Sequence, residues 1–168
     1  MRFSISHDFD AALDTIQLAT LSPELGPSLG KALAPTVESV ETAEHRLEAG
    51  DFHRVLRFQA GAPLPLFRGR TVPREALAWE MTFHYRLGDR VATWEVSPQP
   101  QYRRYFRASG EWRLESSEEG TCRRTVSGEL HVTTALPLFG RLVERLALVE
   151  VRKIYDAEAN TLRSLGTL

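Results

Sequence analysis

A single cysteine, Cys122, occurs in 168 residues, so the chain closes no disulfide within itself and offers no cysteine cluster to a metal ion. Long apolar runs are also missing. The most apolar stretch, Leu136 to Val151, is interrupted by Arg141, Glu144, Arg145 and Glu150, well short of the roughly 18 uninterrupted apolar residues a membrane span requires. Stable insertion into a membrane is therefore not expected. The start of the chain, Met1 to Asp8, alternates polar with apolar residues and has no apolar signal core, which fits a cytoplasmic setting. Excess charge is absent: 22 acids face 21 bases for a net charge of −1. That balance removes the electrostatic motive for a nucleic-acid partner. Lysine is nearly lacking, with only Lys31 and Lys153, so the bases are almost all arginines, dispersed among acids.

Chemical signatures are equally sparse. The histidines, at positions 7, 45, 53, 84 and 131, show neither His-x-x-x-His nor Glu-x-x-His spacing, and no metal site is expected. A nucleophile elbow, a Gly-rich phosphate loop and a dinucleotide fingerprint are missing, so no cofactor is expected either. What remains is a chain with 42 % hydrophobic and 26 % charged residues, ordinary globular proportions. Its length suits one domain over residues 1–168, able to bury roughly 70 % of its unfolded surface.

The periodicity supplies an architecture. Residues 1–9 alternate as a strand, with Phe3, Ile5 and His7 on one face. Asp10 can cap a helix running to Leu18, and Ser22-Pro23-Glu24-Leu25 signals a second short helix. Val37–Leu47 and Phe52–Ala60 read as a hairpin turning at Glu48 to Asp51, although Val37 and Val40 share a face only if the first strand carries a bulge. Residues 61–75 are too proline-rich for a central strand and too apolar for an idle loop. They read either as a lid or as a segment packed on the core. The clearest β pattern follows, with Trp79, Met81, Phe83, Tyr85 and Leu87 alternating with polar residues. Val91–Val96, Phe106–Leu114 and Cys122–Val132 continue an antiparallel meander. Pro137 then opens a long helix to about Leu165, its expected apolar face running through Phe139, Leu142, Val143, Leu146, Ala147, Val149, Ile154 and Ala157 and extended by Leu148, Val151, Tyr155 and Leu162. A helix so broadly apolar needs a concave partner, and the sheet is the available one. The fold class is α+β: a seven-stranded curved antiparallel sheet around a long C-terminal helix, with two short helices after the first strand.

This order resembles the START-like (SRPBCC, helix-grip) superfamily, which includes the birch pollen allergen type, polyketide cyclases and lipid-transfer START domains. Two stretches carry a nearer likeness to a bacterial START-like family of unknown function. One runs from Pro65-Leu66-Phe67 to Trp79-Glu80; the other runs from Leu136-Pro137-Leu138-Phe139-Gly140-Arg141-Leu142-Val143-Glu144-Arg145 to Tyr155-Asp156-Ala157-Glu158-Ala159-Asn160. The resemblance implies a cavity between sheet and helix, the place where members of the superfamily hold lipids, sterols or polyketides.

Within that frame, the reading singles out Glu150, expected about 20° from Phe139 on the helix's apolar face and therefore desolvated. Arg54 and Arg124 are matching oddities, each on the apolar face of its strand. With Tyr85 they are the candidate polar anchors for a ligand. Phe58, Phe83, Trp94, Trp112, Leu146 and Val143 are the candidate apolar lining. His7, on the apolar face of its strand, is the histidine to watch. The expected partner is an apolar small molecule (a lipid, fatty acid or polyketide-like compound). The alternatives are a cyclase or hydrolase with Glu150 as acid/base, and an interaction module with a filled interior. The sequence leaves the oligomeric state open.

Overall fold

The computed structural model describes residues 1–65, 67–134 and 137–167, with the side chains of residues 67 and 137–139 outside that set. In chain order the elements are β1 (Arg2–Phe9), α1 (Leu13–Thr20), α2 (Leu25–Leu33), β2 (Val37–Glu48), β3 (Asp51–Ala60), β4 (Leu64–Pro65), β5 (Thr71–Val72), β6 (Ala78–Arg86), β7 (Val91–Pro98), β8 (Phe106–Ser116), β9 (Cys122–Val132) and α3 (Pro137–Gly166). Seven of the strands form one antiparallel sheet in the order β1-β9-β8-β7-β6-β3-β2. The first strand thus pairs with the last at one edge of the sheet, and the meander runs from β9 back to β2 at the other edge. α1, α2 and α3 pack together on the inner face, completing the helix grip.

Strand alternation places the core. Phe52, Leu56 and Phe58 of β3, Phe83 and Tyr85 of β6, Trp94 of β7, Trp112 and Leu114 of β8, and Val126 and Leu130 of β9 are all buried. Their neighbours His84, Thr93, Glu111 and His131 are exposed, as a sheet with one wet face requires. The β2–β3 turn has Ala49 at φ 49° and Gly50 at φ 81°; two successive positive φ angles match the twist of a two-residue hairpin turn. Gly110 and Gly128 face each other across β8 and β9. A Cβ on Gly128 would sit 2.3 Å from Trp94 Cζ2, and one on Gly110 only 2.0 Å from the Ser127 carbonyl oxygen. The missing side chains let the Trp94 ring lie against the sheet backbone.

The local signals need several adjustments. β2 has register shifts at Val37/Ser39 and Thr42/Glu44, bulges that reconcile its irregular alternation with the core. Asp10 does not cap α1; the N-cap is Ala12, with no side-chain hydrogen bond. The Ser22 hydroxyl accepts the Glu24 N–H at 3.2 Å, but α2 begins only at Leu25. Between β3 and β6 the chain forms the β4–β5 hairpin and two short 3-10 turns, Phe67–Gly69 and Arg74–Ala76. This segment is tied to β3 by Ala60 N–H to Leu77 O at 2.9 Å and by Gln59 Nε2 to Arg74 O at 2.8 Å.

The largest correction concerns α3. Beyond Gly140 its buried residues are Ile154, Tyr155, Glu158, Ala159, Thr161 and Leu162, whereas Leu142, Leu146 and Val149 are 48 %, 41 % and 49 % exposed. At about 100° per residue the face turned to the sheet lies roughly a third of a turn from the centre of the expected one, on the side where Val151, Tyr155 and Leu162 extend it. The helix carries two adjoining apolar rows, one through Leu142, Leu146 and Val149, the other through Ala147, Val151, Ile154 and Leu162. Periodicity cannot choose between adjoining rows; packing chooses the second, whose lower half meets α1, α2 and the sheet. Of the residues expected on the apolar face, Phe139 lies outside the described side chains.

Candidate functional site

Along the inner face of the sheet, burial changes from one end to the other. Phe83 and Tyr85 are buried on β6 but Trp79 and Met81 are only half-buried; Trp94 gives way to half-buried Val96 on β7, and Ala108 to half-buried Phe106 on β8. The half-buried end is where α3 begins. Glu144 accepts the Val132 N–H at 3.1 Å there. Half-buried Val143, Ala147, Leu148 and Val151 follow on the helix. The grip therefore has a tightly filled base and a loosely filled mouth.

In the middle of the grip lies a cavity of about 10 Å³ lined by Leu29, Arg54, Leu56, Met81, Phe83, Trp112, Ile154, Tyr155 and Glu158. That is room for about one water molecule. Among the expected lining residues, Arg54, Phe83 and Trp112 meet here. Phe83 contacts Trp112 edge to face, with centroids 5.6 Å apart. Phe58 belongs to the neighbouring cluster, stacked on Trp79 at 5.2 Å. Trp94 is buried with its ring edge-on to Tyr155 at 6.0 Å and its N–H directed to Glu111 O at 3.3 Å. Tyr85 lies nearer the base, its hydroxyl donating to Gln17 Oε1 at 2.7 Å; burial pushes its pKa up to about 12, so it stays a neutral donor. Burial likewise pushes the Cys122 thiol up to about 11, leaving it without thiolate character at neutral pH. Val143 stands at the mouth and Leu146 faces outward.

Glu150 is not in the interior. Its side chain is 48 % exposed and accepts a hydrogen bond from Lys153 Nζ at 2.9 Å, on the outer side of the rotated helix. The buried carboxylate is Glu158, two turns further on, within the row Val151, Ile154, Glu158, Leu162. The i, i+4 and i−4 neighbours of Glu158 on this row are Leu162 and Ile154, the spacing signal that would have found it. Glu158 Oε2 accepts from Arg124 Nη1 at 2.7 Å and Oε1 lies 3.8 Å from Arg54 Nη2. Arg124, fully buried, also donates through Nη2 to the Tyr155 carbonyl at 2.8 Å and to His7 Nδ1 at 3.0 Å. Arg54 donates through Nη1 to the Thr20 carbonyl at the end of α1, at 2.7 Å. The two arginines on apolar strand faces are thus joined by a carboxylate from α3.

His7 extends this network to the surface. A guanidinium has only donors, so His7 Nδ1 is the acceptor and Nε2–H donates to Asp156 Oδ1 at 2.7 Å. Its side chain is 9 % exposed. Burial holds its pKa below the ordinary 6.5 and the Arg124 charge acts in the same sense, against the hydrogen bond and charge of Asp156. As pH falls through about 6.5, the unfolded chain takes up this proton before the folded one, so the stability present above that pH drains away below it. His45, also lowered by burial, adds a part of the same sign. Urea midpoints measured at pH values on either side of 6.5 should fall on the acid side, and His7→Gln should remove a part of that fall. An identical slope in wild type and variant contradicts the buried, neutral assignment.

Among the described residues no group of three His, Cys, Asp or Glu side chains is placed to hold a metal ion. No described helix is long and apolar enough to cross a membrane. The family model described as "Protein of unknown function (DUF2505)" matches residues 4–165. The chain belongs to this family. No curated protein matches it. Solved structures of the same fold show where the family stands. One is TTHA0849 from Thermus thermophilus, 18 % identical, covering 99 % of this chain and 97 % of that one with a TM-score of 0.63. Another is the Zhui aromatase/cyclase from Streptomyces sp. R1128, 15 % identical, with coverages of 99 % and 94 % and a TM-score of 0.63. A third, a START superfamily protein from Mycobacterium smegmatis, is 13 % identical over 98 % of both chains with a TM-score of 0.61. At these identities the likeness establishes the START-like helix-grip fold, and the family shares it.

Proposed function

We propose that this chain binds an apolar small molecule in the mouth of the grip, between the first half of α3 and the inner face of β6, β7 and β8. The observation that carries this reading is the gradient of burial. Trp79, Met81, Val96 and Phe106 point the way the core residues point, yet they are only half-covered. Apolar surface left partly wet at the opening of a concave sheet gains about 25 cal/mol per Å² when a ligand covers it. With a cavity of about 10 Å³ beneath, the ligand makes its room by displacing the first half of α3, whose Val143, Ala147, Leu148 and Val151 are only half-buried. The aromatase/cyclase among the fold relatives agrees with a small-molecule site in this architecture. An acid/base role at Glu150 has no desolvated position to work from, since the carboxylate lies outside.

A second reading, a ligand-free interaction module, has the filled interior in its favour. Titration with uncharged probes, dodecanol and naphthalene, separates the two. Saturable binding with one site per chain and a raised melting temperature is expected, and Val151→Trp, which fills the mouth, should weaken it. Absence of saturable binding by both probes would leave the interaction module standing.

A further inference from the structure

Among the described residues the interior holds two guanidinium groups and one carboxylate. Arg54 is 3 % and Arg124 0 % exposed, and Glu158 is the single acid facing both, with Asp156 outside at the His7 end of the network and 63 % exposed. The carboxylate is unequally shared: a 2.7 Å hydrogen bond to Arg124 against a 3.8 Å separation from Arg54. Arg124 has further acceptors in the Tyr155 carbonyl and His7. Arg54 has one, the Thr20 carbonyl. The rings of Phe52 and Phe83 lie 5.5 Å and 5.0 Å from its guanidinium carbon. Burial lowers its pKa, with Glu158 opposing. Arg54 Nε is buried with no hydrogen-bond partner, as is Arg124 Nε, but of the two only Arg54 lines the cavity. The C-terminal end of α1 contributes a partial negative charge through Thr20, but a whole counter-ion for Arg54 is missing. Leaving a desolvated cation short of partners costs several kcal/mol, and this cation lines the cavity.

We propose that the molecule bound in the grip carries one anionic head, a carboxylate or a comparable oxyanion, which docks on Arg54 while the apolar body lies in the mouth. The inference rests on the binding site proposed above and adds its polar half. One negative charge brings the buried set to neutrality, and a two-oxygen head can accept from the free Nε and the loosely held Nη2 edge, the paired geometry guanidinium groups favour. Met81 and Ile154, the cavity-lining residues nearest the mouth on the sheet and the helix, must part to admit it. The head is fixed by chemistry; the body, aliphatic or aromatic, is for experiment to choose.

The test compares probes of equal size that differ in the head: dodecanoate with dodecanol and methyl dodecanoate, and naphthoate with naphthylmethanol. Calorimetry on the wild-type chain at neutral pH should show the carboxylate of at least one pair binding about tenfold or more tightly than its uncharged partners, the effect expected of charge-assisted hydrogen bonds in a dry site. Arg54→Gln should collapse this ratio towards one, and Arg54→Lys, which keeps the charge, should retain part of it. Equal affinity of charged and uncharged probes overturns the anionic head and leaves the apolar site intact. A ratio that persists in Arg54→Gln overturns it too, because the head then sits on another arginine. If no probe binds at all, the site itself is refuted and this inference goes with it. The wild-type comparison decides the matter even if the Arg54 variants fail to fold.

Discussion

Replacing Glu158 by Gln should destabilise the fold by about 3–5 kcal/mol, the cost of leaving a buried ion pair without one partner. The reason is the count around it. Arg124 Nη1 at 2.7 Å and Arg54 Nη2 at 3.8 Å both lose the carboxylate that offsets their burial, and an amide offers one weaker acceptor in its place. Against a total stability of about 5–15 kcal/mol for an ordinary domain, such a loss leaves the variant marginal. Urea denaturation should show the midpoint drop. Glu150→Gln is the internal control, since an exposed pair with Lys153 contributes under about 1 kcal/mol. Replacing all three charged groups together (Arg54→Met, Arg124→Met and Glu158→Leu) should recover most of the loss, because apolar side chains of similar volume need no compensation. A Glu158→Gln midpoint indistinguishable from wild type would mean that the arginines are hydrated and that the network is not buried as described.

Trp112→Ala should cost a similar amount, about 3–5 kcal/mol, by a different physical route. Trp112 is 1 % exposed on the inner face of β8, edge-on to Phe83 at 5.6 Å and to Tyr85 at 5.2 Å. Removing the indole forfeits its transfer energy and opens a void that joins the existing cavity of about 10 Å³. The enlarged void is walled mostly by apolar side chains, Leu29, Leu56, Phe83 and Ile154, with Arg54 and Glu158 on one side, a shape that suits a small aromatic molecule. Benzene or indole added to this variant should raise its melting temperature, by up to about 2.7 kcal/mol of stability at a hundredfold excess over the dissociation constant, and by more than in the wild type. A stability loss below about 1 kcal/mol would show that the grip relaxes around the missing ring. That outcome would also imply an interior far more plastic than close packing suggests.

How far the chain could be read in advance differs from element to element. The strand containing Phe83 and Tyr85 was legible because a period of two puts every second side chain on the same face, whatever the neighbouring strands do. The first bulge in β2 was legible as a failure of that period between Val37 and Val40; the second, at Thr42/Glu44, was not. Helix starts were read less well: the serine and aspartate offered as caps are each bypassed by two residues, since packing of Leu13 and Leu25 against the core outweighs a single capping hydrogen bond. The candidate site divides in the same way. Arg54 and Arg124 stood out because a charge on the apolar face of a strand is anomalous on local grounds alone. Glu158 did not, because on a helix with two adjoining apolar rows the address of any residue depends on which row is turned inward.

Residue order alone settled the antiparallel meander, the long terminal helix and the misplaced arginines, all consequences of periodicities that span a few residues. The rotation of α3, the choice of Glu158 over Glu150 as the inner acid, and the joining of Arg124 to a partner 34 positions away were decided only when the sheet, α1 and α2 closed around the helix. Those are contacts between distant segments, and their energies depend on the shape into which the whole chain packs.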